Sequence, residues 1–187
     1  SFVVVKDILD KFSPLWVVFL RFILSAIFLS LIFFPKLKAI NKDYLWRGAV
    51  LGILYMAGML IQTYGIKLST PGKSAFITAA QCVFVPFVCW WLMKKHPTIK
   101  NLIAAVLCMV GIGFVSLTEA FSVSRGDFLT LLCAIVFAFH IVSLEIFVKQ
   151  YDIILLCILQ YGFGSVLSLT FAIPLQTPPI FDSPSII

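Results

Sequence analysis

Long apolar runs alternate with short polar connectors along the whole of this chain. The runs fall at about residues 14–34, 48–66, 74–93, 101–118, 128–148 and 153–173. Each approaches the roughly 20 residues that an α-helix needs to cross the hydrocarbon core of a bilayer. Residues 1–5 (SFVVV) read as the outer end of a further helix whose beginning is missing, and 6–13 as a charged connector. The pattern predicts an all-α integral membrane protein with about six complete transmembrane helices plus the end of one more. Ser13-Pro14 supplies an N-cap followed by proline at the first helical position. Residues 35–47 read as a basic loop, and Asp127 as the N-cap of the run at 128–148. Gly48-x-x-x-Gly52 suits close helix contact.

Polar residues inside the runs come next. Ser74, Thr78 and Gln81 recur at i, i+4 and i+7, which places them on one helical stripe. Pro86 lies further along the same run, where it removes a backbone donor. A polar stripe beside a proline predicts a wall that faces something other than lipid. Tyr55, Met59 and Gln62 share a face of the run at 48–66. His140 lies near the middle of the run at 128–148, with Cys133 and Ser143 on its side. An ionisable group at that depth either relays protons and binds solute, or is a neutral histidine bonded to a neighbouring helix. Glu145 has the same two faces: a coupling carboxylate, or one half of an i, i+4 pair with Lys149. Arg21 is expected to snorkel outward, and Tyr161, Ser165 and Ser168 to pack beside Gly164.

Composition agrees with the pattern. Of 187 residues, 61% are hydrophobic and 12% charged, against roughly a quarter charged in soluble domains. The net charge of +6 sits in the connectors, where basic residues meet anionic headgroups, so nucleic acid is not an expected partner. Eight of the lysines and arginines fall on one side of the alternating connectors, among them Lys36, Arg47, Lys94, Lys95 and Lys149. Five fall on the other, including Lys67, Lys73 and Arg125. The richer side is expected to be cytoplasmic. The five cysteines lie inside apolar runs with no C-x-x-C pair, so neither metal nor redox chemistry is expected. STPGKS ends like a phosphate-binding loop, but Lys67 replaces its first glycine and no strand precedes it, so no nucleotide or other cofactor is expected.

Offset by 139 residues, the chain aligns with itself: residues 2–22 lie over 141–161, Arg21-Phe22 over Gln160-Tyr161, and Pro35 over Pro174. A period holding five helices is odd, so the second copy must lie inverted in the membrane, the common build of secondary transporters. About three more helices are then expected after residue 187.

The segments QTYGIKLSTPGKSAFITAAQCVFVPF, KKHPTIKNLIAAVLCMVGIGFVSL and RGDFLTLLCAIVFAFHIVSLEIF, in that order and spacing, resemble the EamA family of the drug/metabolite transporter superfamily. The resemblance implies a ten-helix protein of two inverted five-helix repeats in the plasma membrane, with both termini cytoplasmic. Residues 1–118 would form the first repeat, lacking the start of its first helix, and 127–187 the first two helices of the second. It also implies export or exchange of a small metabolite, amino acid or drug by alternating access, with a proton gradient as a candidate drive. On that reading Ser74, Thr78, Gln81, Pro86, His140, Gln62 and Tyr55 line the cavity, and His140 and Glu145 are coupling candidates. Lys95 and Ala104 depart from the glutamate and glycine usual in the family. Two rival classes remain at this stage. An integral membrane enzyme would need Asp, His or Arg clustered at a helix end, and these are scattered here. A scaffold or channel subunit would not need the polar stripe at 74–81.

Overall fold

A computed structural model of the chain describes residues 13–94, 96–116 and 124–175, and all the regular structure among them is helical. In chain order the helices are α1 (Pro14–Ile32), a short 3-10 helix (Phe34–Ala39), α2 (Lys42–Lys67), α3 (Pro71–Ala79), α4 (Gln81–Met93), α5 (Ile99–Ser116), α6 (Arg125–Phe147) and α7 (Ile153–Leu175). The helix end expected at 1–5, most of the polar loop before residue 124 and the Pro-rich segment after 175 lie outside the described residues.

Among the described residues, five helices are long and apolar enough to cross a membrane: α1, α2, α3 and α4 taken together, α6 and α7. Their outer faces carry large apolar side chains, with Phe28 65%, Leu31 72%, Trp91 71% and Ile173 68% exposed. Such faces would be costly in water and are at home in lipid. The protein is a multi-pass membrane protein.

Three boundaries differ from the sequence expectation, each for a local reason. Helix α2 starts at Lys42 rather than 48, because Asn41 Oδ1 accepts the Tyr44 amide at 3.0 Å and caps it. Helix α6 starts at Arg125 because Ser124, not Asp127, is its N-cap. Asp127 is the N3 partner of a capping box: its Oδ2 accepts the Ser124 amide at 2.8 Å while Ser124 Oγ accepts its own amide at 3.2 Å. The run at 74–93, expected as one helix, begins at Pro71 under a Thr70 cap and breaks at Ala80. There the Ala80 amide bonds to Ile77 O at 3.0 Å and the Val83 amide to Ala80 O at 2.9 Å, so the backbone tightens locally to i→i−3 bonding while Ala80 itself stays in the right-handed helical region. The helix itself continues through Pro86.

Helix α2 is the hub, packed against α6 and α7, while α1 packs against α7. Without a hydrophobic drive between helices in lipid, close packing and polar contacts must hold them. At Gly52 a Cβ would stand 2.9 Å from Gln160 O and 2.9 Å from Phe163 Cβ. At Gly126 it would stand 2.7 Å from Gly65 O, so α2 and α6 touch backbone to backbone. The two faces are sealed by different chemistry. At one, Lys36 Nζ meets Asp152 Oδ2 at 2.6 Å, Tyr44 Oη accepts the Asp152 amide at 2.9 Å, and the Arg47 guanidinium lies 4.1 Å over the Tyr151 ring. At the other, Asp127 accepts a hydrogen bond from Ser69 and lies 3.9 Å from Lys73 Nζ, tying the α2–α3 turn to the start of α6. These contacts make α2 antiparallel to α6 and parallel to α7, and α1 antiparallel to α7.

Candidate functional site

The candidate residues fall in three places. The first is a polar seam between α2 and α3. Gln62 Nε2 donates to Thr78 Oγ1 at 3.3 Å, and Thr78 Oγ1 donates to Ser74 O at 2.7 Å. All three residues are buried, and Ser74 Oγ has no partner among the described residues. Gln81, expected on the same stripe, opens α4 beyond the break at Ala80 and bonds to none of them among the described residues. The stripe is a consequence of uniform helical spacing, and the 3-10 turn ends that uniformity.

The second place is an aromatic and polar cluster where α1, α2, α6 and α7 meet. His140 Nε2 and Gln160 Oε1 are 2.8 Å apart, and both residues are buried. The Tyr55 ring lies 4.9 Å from the imidazole and stacks on Phe22 at 5.2 Å, while Tyr161 closes the group at 5.8 Å from Tyr55. Ser165 Oγ and Ser168 Oγ return their hydroxyls to Gly162 O and Gly164 O on their own helix, and Phe22 fills the space over Gly164. Gln160 was not singled out in the sequence. Its signal was a lone amide within an apolar run, aligned with Arg21 by the 139-residue offset.

The third place is a cavity of about 700 Å³ between α4, α5 and α6, lined in part by Pro86, Cys89, His96, Asn101, Ala104 and Glu145. Pro86 and Glu145 therefore share a wall with two polar residues, His96 and Asn101, that sequence reasoning passed over. Proline removes the amide that would bond Cys82 O, and Cys82 lines the cavity as well. The pair that spacing allows between Glu145 and Lys149 is not formed; the ion pairs among the described residues are Lys36–Asp152, Arg47–Asp43 and Lys73–Asp127. Five residues along a helix amount to a rotation of about 140°, so His140 faces α7 while Glu145 faces the cavity. Among the described residues no group of His, Cys, Asp and Glu could hold a metal ion.

The comparisons with known proteins agree with this membrane architecture. The family model described as the EamA-like transporter family matches residues 1–117. A protein of Archaeoglobus fulgidus named "Uncharacterized transporter" is 30% identical over 174 residues, covering 92% of this chain and 53% of its own length. The chain thus spans about half the length of that curated relative. No solved structure matches. With more than half of its residues inside the family model, the chain belongs to the EamA-like transporter family.

Proposed function

We propose that the complete protein carrying this chain is a secondary transporter that moves a small organic solute across the plasma membrane by alternating access. The observation that carries this reading is the α3–α4 span, whose hydrogen-bond ladder tightens at Ala80 and lacks an amide at Pro86, beside the cavity lined by α4, α5 and α6. Broken membrane helices at an internal cavity are how transporters expose backbone polar groups to a solute without exposing them to lipid. The seam of Gln62, Thr78 and Ser74 borders the break and lets α3 change its partners without stranding them in hydrocarbon.

Three observations support the inverted repeat, with residues 1–118 and 127–187 in its two copies. Helices α1 and α7 are related by the 139-residue offset, they run antiparallel, and the offset-related rings of Phe22 and Tyr161 meet at 5.9 Å. A two-fold axis in the membrane plane would bring equivalent residues of crossing helices together in this way. The face with Lys36, Arg47 and Lys149 is the cytoplasmic one on this reading. His140 and Glu145 are the titratable groups available for coupling to protons.

The test is solute flux into proteoliposomes carrying the complete protein, with and without a proton uncoupler. Flux driven by an imposed gradient supports the reading. No flux under any gradient overturns it, and flux indifferent to the uncoupler removes the proton from the mechanism.

A further inference from the structure

The cavity between α4, α5 and α6 has a definite chemical bias. Its walls are largely apolar, with Val85, Pro86 and Ile141 among them, and it takes three polar groups from three parts of the chain. Glu145 comes from α6, Asn101 from α5, and His96 from the connector between α4 and α5. Each can accept a hydrogen bond: a carboxylate, an amide oxygen and a ring nitrogen. Among the described lining residues Glu145 is the one that carries a charge, it is exposed, and it takes part in none of the ion pairs of the described residues. An unpaired carboxylate at the edge of an apolar space is costly unless a cation or water meets it.

We infer that this cavity binds a solute with a protonated amine on an apolar body, Glu145 supplying the countercharge. This rests on the transport reading and names its substrate class. A protonated amine offers two or three donors to groups each of which can accept one, and its charge is matched by one carboxylate. A solute anion would be repelled by Glu145, and a neutral alcohol would leave that carboxylate unmatched, so the wall selects against both. Lys149 follows one turn after Glu145, and Lys94 and Lys100 lie near the cavity mouth in sequence. None of the three lines it, and Lys94 and Lys149 are exposed to their surroundings. The volume of about 700 Å³ is in the range of pockets that hold drug-sized molecules, roughly 300–1,000 Å³.

The experiment uses the complete protein in lipid nanodiscs and radiolabelled phenethylamine as the probe. Saturable binding is expected, displaced by unlabelled amine but not by phenethyl alcohol or phenylpropionate. Glu145→Gln should weaken binding about tenfold or more, corresponding to about 1.4 kcal/mol, and Glu145→Asp should weaken it less. Ala104→Phe keeps the charge but fills the cavity from α5, and should also weaken binding. The inference is overturned if the amine does not bind, if the alcohol displaces it equally well, or if neither Glu145→Gln nor Ala104→Phe alters its affinity. Flux is measured separately on the same proteins. Glu145-dependent amine binding with no flux of any solute would overturn the transport reading and leave the site standing. Flux of a neutral solute unaffected by Glu145→Gln, with no amine binding, would do the reverse.

Discussion

His140 Nε2 and Gln160 Oε1 meet at 2.8 Å and join α6 to α7 across the interior of the bundle. With the amide oxygen turned to the ring, histidine is the donor and carries its proton on Nε2, whether or not Nδ1 is also protonated. His140→Leu or Gln160→Leu each leaves a buried polar group without its partner. The expected loss is about 1 kcal/mol for either, within the range found for hydrogen bonds between membrane helices. The double variant should lose less than the two single variants added together. A double-mutant cycle on thermal unfolding of the complete protein measures this, and a coupling energy of zero would show that the bond contributes nothing to α6–α7 association.

That bond also marks what was legible in the sequence. The helices were, because twenty residues without charge have few alternatives in a membrane protein. The helix starts were displaced because their caps, Asn41 and Ser124, sit inside stretches that read as loop. The tightened turn at Ala80 carries no signal in a pair of alanines, and Gln81 beyond it bonds to none of Gln62, Thr78 and Ser74 among the described residues. Gln160 could be seen as polar but not as the partner of His140, since periodicity gives the face of a helix and not its neighbour. Likewise the cavity depends on how three helices lean together, so Pro86 and Glu145 were each visible alone, while their shared wall with His96 and Asn101 was not.

Glycine substitutions separate close approach from mere helix propensity. A Cβ on Gly52 would lie 2.9 Å from the backbone oxygen of Gln160, which cannot turn aside as a side-chain tip can. Gly52→Ala should therefore cost about 1–3 kcal/mol, as overpacking does. Around Gly162 a Cβ meets nothing within 4 Å. Gly162→Ala should be neutral or stabilising by up to about 1 kcal/mol, since alanine is the better helix former. The melting temperature of Gly52→Ala should fall while that of Gly162→Ala stays level or rises, and a matching fall in both would remove Gly52's special role.

At the face sealed by Lys36, the Asp152 carboxyl is held below the ordinary aspartate range. The hydrogen bond from the Lys36 ammonium is the main cause, and the Ile154 amide donating to Oδ1 adds to it. A lowered folded value means that the ionised carboxylate stabilises the fold above the ordinary aspartate pKa. That contribution is lost as pH falls through the lowered value. Both side chains are partly exposed, at 43% and 33%, so the pair is worth about 1 kcal/mol or less. Asp152→Asn should melt slightly lower at neutral pH and lose less stability on acidification than the parent. Parallel melting curves across the acid range would assign the acid sensitivity elsewhere.

Pro86 lies inside α4 and on the cavity wall, so its effects on stability and on transport should have opposite signs. Replacing it with leucine restores an amide that can bond Cys82 O and relieves the clash of the ring with that carbonyl. In a soluble helix interior proline costs about 3 kcal/mol. Membrane helices recover part of this through neighbouring groups, so the gain in Pro86→Leu should be smaller but still positive. If the proline's interruption of the helix ladder on the cavity wall serves solute movement, the same change removes it. Pro86→Leu should then raise the melting temperature of the complete protein and lower solute flux about tenfold or more, an increase in barrier of about 1.4 kcal/mol. A variant that is more stable and transports at the parental rate would make Pro86 a packing residue and leave the break at Ala80 as the sole interruption of the helix.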